Sequence, residues 1–100
     1  MNFYNQQRQA LLKKEFSEIV PGIEQRAIGA LKMDQDSFVV DMSKNECVVK
    51  ETDAAFQELK SELLQKHDKL LQGIEINNEG TARINDVDVQ RSLIVFKMKR

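Results

Sequence analysis

Residues 52–73 read TDAAFQELKSELLQKHDKLLQG and carry the clearest helical pattern in the sequence. Thr52 is a residue type that caps helix N-termini, and Gly73 is one that ends helices, because glycine adopts a left-handed backbone without steric cost. Large apolar residues recur between them at helical spacing: Phe56, Leu59, Leu63, Leu64, Leu70 and Leu71. We therefore predict a long central helix from Thr52 to Gln72.

A second helical stripe precedes this helix and is interrupted at Pro21-Gly22. Proline lacks a backbone donor and disfavours helical geometry at the residue before it. Two arrangements fit: one kinked helix, or two short helices with Pro21 at the first position of the second. We favour two segments, over about residues 5–20 and 22–33.

The segments on either side of the long helix have the composition of strands. Residues 37–42 and 46–51 flank a short polar turn, so we expect them to form a hairpin. Residues 74–77 and 81–85 flank the turn signal Asn77-Asn78-Glu79-Gly80, which predicts a second hairpin.

Residues 92–98 are predicted to form the last strand, whereas residues 86–90 fit a bulge, a loop or the beginning of that strand. The resulting order of elements is ααββαβββ, in which helices and strands are segregated. This order predicts an α+β fold with an antiparallel sheet of four to five strands packed against the long central helix. One hundred residues are expected to form a single domain, 1–100.

Composition narrows the function classes. The 15 basic and 16 acidic residues nearly cancel, so no overall field attracts nucleic acid or an anionic membrane. A single cysteine cannot form an internal disulfide, which favours a cytoplasmic location. The longest run of large apolar residues, 93–96, is too short to span a bilayer.

Reactive and metal-binding groups are sparse. His67 and Cys47 are the sole residues of their types, and one of each cannot fill a tetrahedral zinc site. The acid pairs in 34–36 and 86–88 lack the turn glycine of a calcium loop. We interpret His67 and Cys47 as packed residues rather than as a base and a thiol nucleophile, and we expect no catalytic residue, cofactor or metal.

Apolar surface is the more prominent feature, since residues 93–96 are apolar on both faces of the last strand. Either one sheet covers the apolar faces alone, or a homodimer shares the task. We predict a non-enzymatic protein-interaction or regulatory module, with a protein partner of unknown identity and a possible homodimer. The predicted partner-binding residues lie on the long helix and the last strand: Lys60, Leu64, His67, Leu71, Leu93 and Val95.

Two alternatives stay open. The first is a weak nucleic-acid-binding module that uses a basic sheet face near the C-terminus, formed by Arg83, Arg91, Lys97, Lys99 and Arg100. Base stacking would require aromatic residues on that face, and the nearby Phe96 is expected to point the other way. The second alternative is a small enzyme subunit whose site, with His67 or Cys47, is completed by another chain.

Overall fold

The computed structural model describes residues 3–44 and 48–99, with only the backbone described at Phe3. These residues form helices α1 to α3 and strands β1 to β5 in the order α1 Phe3–Ile19, α2 Ile23–Lys32, β1 Ser37–Asp41, α3 Ala54–Lys66, β2 Leu71–Asn77, β3 Thr81–Ile84, β4 Val87–Gln90 and β5 Leu93–Met98. The described strand pairings are all antiparallel. The predicted α+β class with an antiparallel sheet is confirmed.

The break at Pro21 takes the form of two helices. A single 3₁₀ turn, Val20–Gly22, joins α1 to α2, and the Ile23 amide donates to the Val20 carbonyl. The apolar stripe continues through this turn, because buried residues lie on both helices: Leu12, Phe16, Ile23, Ala27 and Ala30.

Strand β5 lies at the centre of a three-stranded sheet with the order β1-β5-β2. Helix α2 packs on β1, α3 packs on β2, and α1 packs on α3. The face of the sheet that meets the helices is buried, and the rings of Phe38 and Phe96 stack there with centroids 4.8 Å apart. The core therefore lies between the helices and one face of the sheet.

Helix α3 ends at Lys66, so the prediction that it reaches Gln72 is wrong. The His67 carbonyl accepts the amides of Leu70 and Leu71 at 3.0 and 2.9 Å, which turns the chain. Residues 65–69 are all polar, so a further helical turn there would bury no apolar face. Leu71 instead opens β2 opposite Met98, and Gly73 lies inside that strand.

The hairpin predicted from 37–42 and 46–51 is wrong, because β1 pairs with β5. Residues 45–47 lie outside the described residues, and Val48–Lys50 form no strand. Side chains satisfy the backbone there instead: the Val49 amide donates to Ser92 Oγ at 3.2 Å, and its carbonyl accepts Asn78 Nδ2 at 2.8 Å.

The hairpin predicted from 74–77 and 81–85 is also wrong, because β2 pairs with β5 and β3 pairs with β4. The tip between β3 and β4 is Asn85-Asp86, with φ angles of 51° and 63°. Positive φ at both central residues is typical of two-residue type I′ turns.

Strands β2 and β3 form one side of a long hairpin, and β4 and β5 form the other side. Its pairing shifts by one residue between Asn77↔Leu93 and Thr81↔Gln90. Gly80 lies at this shift with φ 81°, which a glycine adopts without strain. Strands β3 and β4 continue past Leu93, the residue that pairs with the last residue of β1. We call this two-stranded extension, residues 81–90, the arm.

A buried group of hydrogen bonds lies where the arm meets the sheet. Ser92 is 1% exposed. Its carbonyl accepts the Met42 amide at 2.7 Å, and its amide donates to Ser43 Oγ at 2.9 Å. Its hydroxyl accepts the Val49 amide. Ser92 therefore ties the end of β1 and the segment before α3 to β5.

Replacing Ser92 with alanine should lower the free energy of unfolding by about 1–3 kcal/mol, because the buried Val49 amide loses its acceptor. Urea unfolding of both proteins measures this difference. The control is Ser61→Ala, at an exposed position on α3, which should change stability by less than about 0.5 kcal/mol. Equal stability of Ser92→Ala and the unmodified chain would contradict this role.

Candidate interaction surface

The outer face of the three-stranded sheet is the face directed away from the helices. Because side chains alternate along strands, it carries Ser37, Val39 and Asp41 from β1, Gly73, Glu75 and Asn77 from β2, and Leu93, Val95 and Lys97 from β5. The alternate residues of β1 and β5 are buried against the helices. Val39 is 38% exposed, and Leu93 and Val95 are half-buried.

Apolar residues occupy the centre of this face, and charged residues surround them. Val95 lies between Val39 and Glu75 in the register of the sheet. Glu75 forms an ion pair with Lys97 at 3.0 Å. Hydrogen bonds from the side chain and then the amide of Ser43 lower the pKa of Asp41, against a smaller opposing effect of burial. An apolar centre with a polar rim is the usual anatomy of a protein interface.

The apolar residues of this face continue onto the arm. The Arg91 amide donates to the Gly80 carbonyl at 3.2 Å, and the Lys99 amide donates to the Leu70 carbonyl at 2.9 Å. Arg91 and Lys99 thus both donate toward residues 70–80, on the same side of the strand. Residues that hydrogen-bond to the same side of a strand carry their side chains on the same face, so odd-numbered residues share one face from β4 through β5. Val87 and Val89 therefore share a face with Leu93 and Val95.

Two further observations extend the same surface. Ile84 pairs with Val87 across the arm, and Val87 is 58% exposed. Ile84 also lines a cleft of about 140 Å³ together with Asp41 and Lys44, which places the arm beside the outer face. We define the apolar strip as a sheet patch of Val39, Leu93 and Val95 and an arm patch of Ile84, Val87 and Val89.

On each edge of the three-stranded sheet, a side chain hydrogen-bonds to an outward-facing backbone group of the edge strand. Arg26 Nη2 donates to the Val39 carbonyl at 2.7 Å, and its guanidinium lies 5.2 Å from the Phe38 ring centroid. On the other edge, Glu51 Oε1 accepts the Ile76 amide at 2.9 Å. Such groups hinder the addition of another strand. The outer face, rather than an edge, is thus the sheet surface open to a partner.

The predicted partner-binding residues fall on two separate surfaces. Lys60 and Leu64 are half-buried along one side of α3, and His67 follows its last residue. Leu71, predicted to share that helix face, lies instead in β2 and is buried. Leu93 and Val95 lie on the outer face, at the centre of the apolar strip.

The predicted basic residues do not form one face. Arg91 and Lys97 share the outer side of the last strand, whereas Arg83 lies on the opposite side of the arm and is 3.5 Å from Asp88. Arg91 donates to the Thr81 carbonyl at 3.2 Å, and Lys99 donates to the Asp68 carbonyl at 3.0 Å. Arg100 lies outside the described residues.

A partly buried ion pair holds α1 against the N-terminus of α3. Asp53, rather than Thr52, is the N-cap residue of α3, and it makes no capping bond with its own side chain. The Asp53 carboxylate is 6% exposed and accepts two hydrogen bonds from the Arg8 guanidinium, one of them at 2.9 Å. Arg8 also donates to the Val48 carbonyl.

Gln9 completes this contact and caps α3 from a different helix. Its Nε2 donates to Asp53 Oδ1 at 3.1 Å, and its Oε1 accepts the Ala55 amide at 2.9 Å. The Lys50 amide donates to Asp53 Oδ2 at 2.7 Å. Burial alone raises the pKa of Asp53, but the bonds from Arg8, Lys50 and Gln9 outweigh burial, so the pKa lies below its ordinary value. The negative charge of Asp53 thus stabilises the contact between α1 and the N-terminus of α3.

Two larger clefts flank α1. One, of about 470 Å³, opens beside Arg8 and Asp53 and is mostly polar. The other, of about 310 Å³, runs between α1 and α3, with Phe16 and Leu59 among its lining residues. An ion pair between Lys13 and Glu58, with atoms 3.1 Å apart, joins the two helices there.

In 3–44 and 48–99, no three His, Cys, Asp or Glu side chains are placed to hold a metal ion. Cys47 lies outside these residues, so a pair with His67 is not described. No helix in the same ranges is both long and apolar enough to cross a membrane.

No known protein family, curated protein or solved structure matches this chain.

The sequence-based prediction included Leu93 and Val95 of the apolar strip but not Val39, Ile84 and Val87. The available signal was the pair Asn85-Asp86 between two short alternating segments, since these residue types tolerate positive φ. Placing that turn correctly would have put Ile84 opposite Val87 and extended the apolar face beyond the last strand.

Replacing Arg8 with methionine should destabilise the chain by about 1–3 kcal/mol, because the Asp53 carboxylate loses its cation but keeps the hydrogen bonds from Gln9 and Lys50. Chemical unfolding measures the change. Lys13→Met is the matched control, since it breaks an exposed ion pair and should cost less than about 1 kcal/mol. Similar small losses in both variants would show that the Arg8–Asp53 pair is not important for stability.

The same ion pair predicts a pH dependence. A lowered carboxyl pKa contributes stability above the unfolded-state value of about 3.9, and that contribution is lost as pH falls through the lower folded-state value. The stability advantage of the unmodified chain over Asp53→Asn should therefore be constant near neutrality and shrink below about pH 4. An advantage that grows with acidification would contradict the sign.

Proposed function

We propose that this chain is a non-enzymatic protein-interaction module that binds a protein partner through the apolar strip. The observation that carries the proposal is an uncovered face on which exposed Val39 lies beside Val95 on the sheet, Val87 is exposed on the arm, and Leu93 lies between these two positions. No helix of the described chain packs on that face. Apolar residues grouped on an uncovered face with a polar rim are characteristic of binding surfaces.

The chemistry of the strip defines the partner surface. The hydrophobic effect supplies about 25 cal/mol for each Å² of apolar surface removed from water. The partner must therefore present its own apolar patch to Val39, Val95 and Val87. Lys97, Glu75 and Asp41 at the rim would orient that patch, since charges at an interface rim act mainly on specificity and association rate.

Other surfaces are less suited to this role. Leu64 on α3 packs against the core, so it is partly used within the chain. Nucleic-acid binding stays a prediction. Arg91 and Lys97 share the outer side of the sheet, but Arg83 lies on the opposite side of the arm next to Asp88, so the predicted basic set is divided. The role of an enzyme subunit with His67 or Cys47 likewise stays a prediction, as does the cytoplasmic location.

The test is affinity capture from the native cell with the tagged chain, followed by mass spectrometry. Proteins bound by the unmodified chain should be lost with Val95→Glu and with Val87→Glu, because each places a charge inside the apolar strip. Met33→Glu is the matched control, since Met33 is 72% exposed and lies beyond α2, away from the strip. It should retain them.

The opposite pattern would contradict the proposal. If a bound protein is lost with Met33→Glu but retained by both strip variants, the partner binds elsewhere on the chain. Circular dichroism of each variant before capture ensures that the comparison is made between folded proteins.

A further inference from the structure

We propose that the partner is a second copy of this chain, with the arm of each copy lying across the outer face of the other. This inference rests on the proposed function and names its partner. The two copies are related by a two-fold axis near Arg91, and their last strands run antiparallel, face to face.

The size of the strip is the first argument. Three strands about 4.8 Å apart and five residues of about 3.3 Å each give the whole outer face of the sheet, of which the sheet patch is a part, a footprint of roughly 14 Å by 16 Å. Stable protein interfaces bury about 800 Å² on each partner, several times that footprint. A partner must therefore cover the arm patch as well, and a reciprocal arrangement buries both patches on both copies.

The spacing of the patches is the second argument. Val95 and Val87 lie four residues on either side of Arg91. With the axis at Arg91, Val87 of each copy faces Val95 of the other. The arm is a two-stranded hairpin, a structure that is marginally stable alone in water, and this packing would cover its exposed valine.

The charges at the ends of the strip are complementary. Lys97 lies two residues beyond Val95, at one end of the strip, and Asp86 lies next to Val87, at the tip of the arm. In the reciprocal arrangement Lys97 of one copy lies opposite Asn85 of the other, within reach of the adjacent Asp86, and symmetry forms this contact twice. At the axis, Arg91 from both copies lies near Asp41 from both copies, because Asp41 pairs with Leu93, two residues from Arg91.

Light scattering during gel filtration tests the assembly. The unmodified chain should be a dimer, Val95→Glu and Val87→Glu should be monomers, and Met33→Glu should stay dimeric. A monomer at the highest concentration that the unmodified chain tolerates overturns this inference. So does a dimer that both strip variants leave intact.

Cross-linking tests the register. In a Cys47→Ser background, a thiol cross-linker of about 10 Å, the spacing of packed sheets, should join Val87→Cys copies to Val95→Cys copies in a mixture. It should not join Val95→Cys copies to one another, because eight residues at about 3.3 Å separate these positions by roughly 26 Å. Efficient joining of Val95→Cys to itself would overturn the arrangement.

Charge exchange tests the contact between Lys97 and Asp86. Lys97→Glu and Asp86→Lys should each weaken dimerisation about tenfold, because each homodimer then holds two like-charged contacts. An equimolar mixture should form a heterodimer within about threefold of the original affinity, since both contacts are opposite again. Lys69→Glu, on the exposed turn after α3, is the charge-matched control and should have no effect.

The outcomes separate the two proposals. A monomeric chain that still captures a different protein through the strip overturns only the second copy as partner. A monomeric chain that captures nothing in a strip-dependent way overturns the proposed function as well. A mixture of Lys97→Glu and Asp86→Lys copies that stays as weak as the single variants contradicts the proposed register.

Discussion

The pairing of β5 on both sides is the constraint on which the remaining structure depends. Because β1 and β2 hydrogen-bond to its two edges, Ile94, Phe96 and Met98 all face the helices and are buried. The intervening residues must then face away from the helices. The same alternation that builds the core therefore exposes Leu93, Val95 and Lys97, and the outer face is a consequence of the core rather than a separate feature.

The local elements could be predicted from the sequence more readily than their pairing. Pro21, the alternation in 37–42 and the apolar residues of 93–98 each carry a local signal, and the structure forms the corresponding elements. Strand pairing depends on distant residues. Residues 48–51 have a strand-like composition, yet Ser92 and Asn78 satisfy the Val49 backbone from far along the chain. No spacing rule reveals such a contact.

The end of α3 and the start of β2 show the same limit. Leu70 and Leu71 are in phase with the preceding helix, so periodicity alone assigns them to it. An extra helical turn made of the polar residues 65–69 would have no apolar face to pack on the core. Burying Leu71 in the sheet stabilises the chain more. The candidate surface was likewise predicted only in part, because some of its residues come together through tertiary pairing. Leu93 and Val95 belong to an obvious apolar run, whereas Val39 and Val87 join them only through tertiary pairing.

The helical layer is fixed by contacts that are equally distant in sequence. Arg8 and Gln9 neutralise and cap the N-terminus of α3 through Asp53, so α1 and α3 are joined by polar as well as apolar contacts. This arrangement holds the helices on one face of the sheet and leaves the other face without a helix packed on it. Because only one face of the sheet packs on the helices, a small chain can have both a buried core and an uncovered apolar strip.

A dilution series of amide NMR spectra tests this account most directly, because it locates association residue by residue in the unmodified chain. The account predicts that signals from β1, β5 and the arm shift together with dilution while those of α2 stay constant. Signals that shift with dilution in the helices but not in β1, β5 and the arm would contradict it.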